Sequence, residues 1–288
     1  MWYDISMQIL EQTKKPHSSP SNILGVYGKS IAGNETCVEI PSLDIGFDIG
    51  ICTETSVHLK NIAISHGHMD HIGAIILHAC RRQLLNLSPP KYYMPEQICE
   101  SVETMFTAAA RIDGDPIAYT LVPMIAGDTK SLSSAHSIQA FRTVHRVPSL
   151  GYKIISTRKR LKAEFKNTPK TEFSKLVNSG VDINESYQYS PVAYTGDTRF
   201  EIFDMYQDIL ADVNTLITEL TFVNNSITVE EARNRGHIHL AEIVNSQKLL
   251  PNPRVIFTHF SARHSLFDVR QACETTLEAS FLERVGLL

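Results

Sequence analysis

An α/β sandwich with one polar edge is the architecture this 288-residue sequence predicts, and two patterns predict it. Short apolar runs, often rich in β-branched residues, recur along the chain, and each stops at a histidine, aspartate or glutamate. Helix-like segments separate them. Alternation of this kind marks an α/β layer architecture. In open α/β sheets the functional loops lie beyond strand ends, which is where these polar residues fall.

In chain order, residues 38–48 read as antiparallel hairpin strands. Ile62-Ala63-Ile64-Ser65 is a buried strand running into His66, and helix-like stretches follow over residues 72–86 and 95–109. Phe141-Arg142-Thr143-Val144 precedes His145, Val192-Ala193-Tyr194-Thr195-Gly196 precedes Asp197, and Leu216-Ile217-Thr218 precedes Glu219. A helix over 240–250 leads to the strand Val255-Ile256-Phe257-Thr258, which ends at His259, and a last helix is expected over 266–277. With no internal repeat or low-complexity stretch, the expectation is one domain over residues 1–288.

Composition excludes several classes. At 43% apolar and 20% charged residues the chain is neither disordered nor fibrous. No apolar run approaches the roughly 20 residues that cross a bilayer, and residues 1–15, MWYDISMQILEQTKK, lack a signal-like core. The five cysteines, Cys37, Cys52, Cys80, Cys99 and Cys273, are odd in number and show no CxxC spacing. Neither a disulfide framework nor a thiolate metal site is favoured. These readings predict a cytoplasmic protein, with the nucleus as the alternative.

The net charge of −4 is unevenly spread. Residues 153–175 carry eight Lys/Arg against Glu164 and Glu172, a local +6, and the remainder is −10. By itself such a segment reads as a solvated face.

The most specific signal is Ser65-His66-Gly67-His68-Met69-Asp70-His71, an HxHxDH cluster between a strand and a helix. Four potential ligands in six residues cannot all reach one ion. His66 and His68, two apart on extended chain, can point the same way, while Asp70 and His71 lie past the bend and can serve a second ion. Imidazole and carboxylate together suit zinc, or less strongly iron or manganese. His145, Asp197 and His259 at other strand ends bring the candidates to seven.

These motifs resemble the metallo-β-lactamase superfamily. Gly33-Asn34-Glu35-Thr36-Cys37, Phe47-Asp48-Ile49-Gly50, His145 six residues before Gly151-Tyr152, Glu219-Leu220-Thr221-Phe222, Gly236-His237-Ile238-His239 and His259-Phe260-Ser261-Ala262-Arg263 are similar to the short form of tRNase Z. The similarity runs from about residue 25 to residue 263. It implies the αβ/βα four-layer sandwich of that superfamily with a short basic protruding arm. It implies a zinc endoribonuclease that cuts precursor tRNA 3′ of the discriminator nucleotide, leaving a 3′-hydroxyl on the tRNA and a 5′-phosphate on the trailer.

The resemblance also implies roles. His66, His68 and His145 would hold one zinc, Asp70, His71 and His259 the other, and Asp197 would bridge, with Mn2+ or Fe2+ as alternative ions. Asp70 is also best placed to take the nucleophile's proton. His237 matches the family's catalytic histidine, the general acid for a poor leaving group, and Glu219 the acidic residue that orients it. His239 competes with His237 but better fits the start of the following helix. The tRNA-binding arm falls at about 156–187, with Lys153, Arg158, Lys159, Arg160, Lys162, Lys166 and Lys170 as phosphate contacts and Arg263 as a further substrate contact. Such contacts give affinity without sequence information, as an enzyme acting on many tRNAs requires. The implied partners are precursor tRNA and a second copy in a homodimer whose arm serves the neighbour's active site, with no membrane or DNA. Asn34 stands where related short enzymes often have His, and neither a Gly-Pro-rich arm nor a clear PxKxRN loop is present. The alternatives are another hydrolase of this fold, a small phosphodiesterase or thioesterase, and a non-catalytic tRNA-binding subunit.

Overall fold

The computed structural model describes residues 24–288; residues 1–15, read above for a signal core, lie outside them. Two seven-stranded sheets form the centre. The first contains β1 (Tyr27–Ala32), β2 (Glu35–Ile40), β3 (Ile45–Phe47), β4 (Asn61–Ala63), β5 (Lys91–Pro95) and β6 (Thr120–Met124) in that spatial order, with β13 (Phe260–Ser261) outside β1. The second runs β7 (Thr129–Ser131), β8 (His136–Arg142), β9 (Leu150–Leu161), β10 (Asn184–Tyr194), β11 (Val213–Glu219), β12 (Arg254–Thr258) and β14 (Val285–Leu287). The 38–48 hairpin is present as the antiparallel β2–β3 pair. From β3 to β6 and from β10 to β14 the pairing is parallel.

The two sheets bury their apolar faces against each other. Val38, Ile40 and Phe47 of one meet Tyr152, Ile154, Val192 and Tyr194 of the other, and the Phe47 and Tyr194 rings stack at 4.9 Å. Helices cover both outer faces. On the first sheet α1 (Met69–Ile72), α2 (Ile75–Leu84) and α3 (Cys99–Asp113) pack Ile75, Ala79 and Phe106 onto Ile62 and Tyr92. On the second, α5 (Ile202–Met205), α6 (Gln207–Leu210), α8 (Leu240–Asn245), α9 (Leu266–Thr276) and α10 (Ala279–Leu282) supply Phe203, Leu210, Ile243, Val269 and Phe281 against Leu216, Val255 and Phe257. The order helix, sheet, sheet, helix makes four layers.

Two local expectations are corrected, and one strand is added. The helix expected over 72–86 is divided, with Gly73-Ala74 between α1 and α2. The helix expected from residue 95 begins at Cys99 and runs on to Asp113, because Pro95 is the last residue of β5, in register with Met124 of β6. Strand β6 itself was hidden by Pro123, which is accommodated because β6 is the sheet's edge.

β9 and β10 outrun the sheet. They pair antiparallel from Tyr152↔Tyr194 out to Leu161↔Asn184, with an irregularity between Tyr189 and Val192 that re-aims the ribbon. A 3-10 turn (Ala163–Phe165) and α4 (Lys170–Asn178) close its tip. The basic segment occupies this projection. On one face Arg158 lies 4.7 Å from the Tyr189 ring and Arg160 lies 5.2 Å from the Tyr187 ring, while Arg160 Nε donates to Glu185.

Candidate active site

The candidate ligands follow strand ends or open a helix, and the two sheets bring them to one edge. His66 and His68 lie in the loop after β4, His145 follows β8, Asp197 follows β10 and His259 follows β12 directly. His68 is the N-cap of α1, so Asp70 and His71 stand in that helix's first turn. His259 has φ 60°, an uncommon conformation for a side chain of this size. It is held by its N–H donating to Ser30 Oγ and by Thr221 Oγ1 at 3.1 Å from its Nδ1.

Four of the five histidines use Nδ1 for anchoring and turn Nε2 inward. His66 Nδ1 meets Ser65 Oγ at 2.9 Å, His71 Nδ1 meets Asp48 Oδ2 at 2.8 Å, His145 Nδ1 meets Gly236 O at 3.0 Å and His259 Nδ1 meets Thr221. His68 does the reverse, its Nδ1 lying 2.9 Å from His66 Nε2. The free atoms converge: Asp197 Oδ2 is 3.7 Å from His66 Nε2 and 3.9 Å from His145 Nε2, and Asp197 Oδ1 is 3.5 Å from His71 Nε2 and 3.3 Å from His259 Nε2. Asp70 Oδ2 sits 3.6 Å from His71 Nε2 and 3.5 Å from His259 Nε2.

This donor set fits a divalent metal. Ligand atoms around an ion bonded at about 2.0–2.2 Å lie roughly 3–4 Å apart, the spacing found here. His145 Nε2 and Asp197 Oδ1 are buried with no hydrogen-bond partner, a cost that a bound cation removes. The ligand atoms of His66, His68, His145 and Asp197 fall within 4.8 Å of one another, and so do those of Asp70, His71 and His259.

Electrostatics divide the groups. Burial holds the His66, His68 and His145 imidazoles below their usual pKa, so they are neutral and able to ligate. Burial would also discharge His71, but Asp197 and Asp48 outweigh it and push its pKa up to about 9. Burial opposes charge on Asp70 and Asp197 too. The surrounding histidines prevail, with the Gly33 N–H adding 2.7 Å support to Asp70 Oδ2, and both carboxyls titrate well below the usual range.

Glu219, the last residue of β11, is 1% exposed and accepts four bonds. Oε1 takes Thr198 N at 2.7 Å and His237 Nδ1 at 3.0 Å; Oε2 takes Thr221 Oγ1 at 2.6 Å and Ile238 N at 3.1 Å. His237 follows α7 (Val229–Arg235) and the glycine at 236. Burial works against its charge, but Glu219 overrides this and raises the His237 pKa to about 9. His239 has a different task. It caps α8, its Nδ1 accepting from Ala241 N and its Nε2 facing Asn224 O.

The arm residues separate. Arg158, Lys159, Arg160 and Lys166 are exposed, Lys162 is half-buried, and Lys170 starts α4. Lys153 is corrected: it is 7% exposed, and its Nζ donates to Ile209 O and to Asp212 at 2.7 Å, so it ties the ribbon's base to α6 and offers nothing to a ligand. Arg263 lies apart from the arm, on the rim of a cavity beside His237.

The sequence reading assigned no role to Asp48, which anchors His71, Ser65 and the Tyr194 hydroxyl, or to Arg146 and Arg235 at the same cavity. For Asp48 a signal existed: it sits directly after a short apolar strand, as the other site residues do.

Residues 52–260 match the beta-lactamase superfamily domain. Over 249 residues the chain is 36% identical to tRNase Z TRZ1 of Arabidopsis thaliana, covering 86% of this chain and 89% of that protein. The chain belongs to the tRNase Z family. The chloroplastic tRNase Z TRZ2 of the same plant is 34% identical, over 86% of this chain and 70% of that one. In fold, human tRNase Z, short form, superposes with a TM-score of 0.61 at 17% identity, covering 91% and 95% of the two chains. Membership of the tRNase Z family places the His/Asp cluster in a fold whose members use a divalent metal. No helix among the described residues is long and apolar enough to cross a membrane.

Proposed function

We propose that this protein is a zinc endoribonuclease that removes the 3′ trailer from precursor tRNA. The observation that carries this reading is the Glu219–His237 pair, with His237 Nδ1 only 3.9 Å from Asp197 and thus at the edge of the ligand cluster. A strand break at P–O3′ expels a ribose 3′ oxygen, a poor leaving group that needs a proton. Thioesters and activated esters have no such need.

Two zinc ions, with Mn2+ or Fe2+ as alternatives, would supply an activated water and positive charge toward the phosphodiester's non-bridging oxygens. His66, His68 and His145 would hold one, Asp70, His71 and His259 the other, and Asp197 both. The chain's own groups do the proton work. Asp70, steadied by the Gly33 N–H, takes the proton from the attacking water. His237 donates from Nε2, because Glu219 occupies its Nδ1. Thr198, Thr221 and Ile238 fix the Glu219 carboxylate in turn, and the ring therefore stays oriented between turnovers.

The chain acts as one domain with an inserted arm at 156–187 that grips the tRNA far from the metals. Arg158, Lys159, Arg160, Lys162, Lys166 and Lys170 contribute charge, and the Arg–Tyr contacts on one ribbon face hold guanidinium planes toward the nucleic acid. The family resemblance implies a homodimer, and five cysteines without a disulfide fit a reducing compartment, the cytoplasm or nucleus. The test is a 5′-labelled precursor tRNA with the zinc-loaded protein. One shortened product is expected, absent with Asp70→Ala. An inactive wild type carrying two zinc ions per chain would refute the proposal.

A further inference from the structure

A cavity of about 450 Å³ opens beside His237. Its wall runs from Gly33, whose N–H holds Asp70, across Phe222 to Arg146, Arg235 and Arg263. No carboxylate lines it, and among the described residues none of the three arginines makes a salt bridge.

Two of the arginines have defined seats. Arg235 lies over the Phe222 ring at 5.8 Å from its centroid, and Phe222 is 6% exposed. The stem of Arg146 rests on Gly236, where a Cβ would meet Arg146 Cγ at 3.3 Å and His145 Nδ1 at 2.7 Å. Gly236 also has φ 85°, so this position needs glycine for its backbone and for its neighbours. Three unpaired cations around one hollow repel each other, and an anion between them relieves that repulsion. The volume lies within the range of roughly 300–1,000 Å³ typical of small-ligand pockets.

We infer that this hollow seats the last nucleotide of the tRNA, the one whose 3′ oxygen receives the His237 proton, with Arg146, Arg235 and Arg263 gripping its phosphates. The inference rests on the tRNA-processing reading above. His237 fixes which side of the break lies here: the group that donates to O3′ must stand beside the nucleotide that carries O3′. The arginines then hold that nucleotide by charge and shape, whichever base it bears. This makes Arg146 and Arg235 substrate-positioning residues for the reaction.

Adenosine 5′-monophosphate carries the same 5′-phosphate, sugar and free 3′-hydroxyl as the released tRNA end, and inorganic phosphate is its control. Isothermal titration of the zinc-loaded protein should give at least tenfold tighter binding of the nucleotide than of phosphate. Arg235→Gln and Arg146→Gln should each weaken nucleotide binding about tenfold or more at unchanged zinc content. Both variants should lose at least tenfold more kcat/KM on precursor tRNA than on bis-p-nitrophenyl phosphate. Nucleotide binding unaltered in both variants, or no tighter than phosphate, overturns the inference. If wild-type protein leaves precursor tRNA intact while nucleotide binding remains arginine-dependent, the pocket stands and the tRNA reading falls.

Discussion

Asp48 Oδ2 lies 2.8 Å from His71 Nδ1, and both side chains are fully buried. The contact fixes which ring nitrogen of His71 faces the site. With Nδ1 engaged, Nε2 is turned toward Asp70, Asp197 and His259. Asp48 reaches this position through a left-handed residue, φ 61°, directly after β3, and its carboxylate also accepts from Ser65 N, Ser65 Oγ and the Tyr194 hydroxyl.

Asp48→Asn should therefore loosen the metal held by Asp70, His71 and His259. Partners of this kind are worth roughly 10–100-fold in metal affinity. Metal retained against graded chelator, read by elemental analysis, should fall by that factor while circular dichroism stays native. Retention equal to wild type would mean that the His71 ring is oriented by packing alone.

Metal uptake should also depend on pH through the same histidine. Without metal His71 keeps its proton up to about pH 9, and a histidine ligates only when neutral. Binding at pH 7.5 should release that proton, and affinity should rise as pH rises toward 9. Isothermal titration in two buffers of different ionisation enthalpy measures the release directly, and a value near zero contradicts the assignment.

The His66–Asp70 loop, His145, Asp197 and His259 were legible because each follows a short apolar run, a pattern local in sequence. Asp48 was present in a motif, but its task depends on β3 lying parallel to β4, which places it beside a residue 23 positions on. Lys153 shows the opposite failure. Counting charge along residues 153–175 cannot register that this side chain turns inward to Asp212, whereas its neighbours five to seven positions later are exposed. Arg146 and Arg235 were silent because the cavity is assembled from five separate parts of the chain.

The β9–β10 register fixes where the arm can be cut. Lys159 pairs with Ser186, so removing residues 160–185 and joining the strands by Asn-Gly shortens both strands equally. Precursor tRNA binding should weaken and the slope of log affinity against log salt should flatten, by roughly 0.7–0.9 for each phosphate that is no longer neutralised. Loss of catalysis should be far greater on tRNA than on bis-p-nitrophenyl phosphate. An unchanged salt slope would make the arm a solvated projection.

His78 gives a pH-dependent stability unrelated to the site. It is fully buried between the Tyr92 hydroxyl and Ser56 O, and burial lowers its pKa to about 4. The unfolded chain, with a histidine pKa near 6.5, binds the proton more readily. Stability from this group is thus complete above about pH 6.5 and declines as pH falls toward 4, by up to about 3 kcal/mol. In urea unfolding, the stability difference between wild type and His78→Phe should shift toward the variant between pH 7 and pH 5. A constant difference would rule the account out.

His237→Ala should keep both metals yet slow tRNA cleavage by roughly 10²–10⁴-fold, the range for a positioned general acid. The defect should shrink on bis-p-nitrophenyl phosphate, whose leaving group needs no proton. Glu219→Gln should give a milder loss of the same kind. Equal losses on both substrates at matched zinc content would make His237 a support for the metals.

Hydrolysis at P–O3′ with the proton delivered to the tRNA side is recorded in the ends of the products. Zinc-loaded protein should be incubated with a trailer-bearing precursor tRNA and both fragments mapped by mass. The account predicts a tRNA ending in a 3′-hydroxyl at the discriminator nucleotide and a trailer beginning with a 5′-phosphate. A tRNA ending in a 2′,3′-cyclic phosphate or a 3′-phosphate would contradict it.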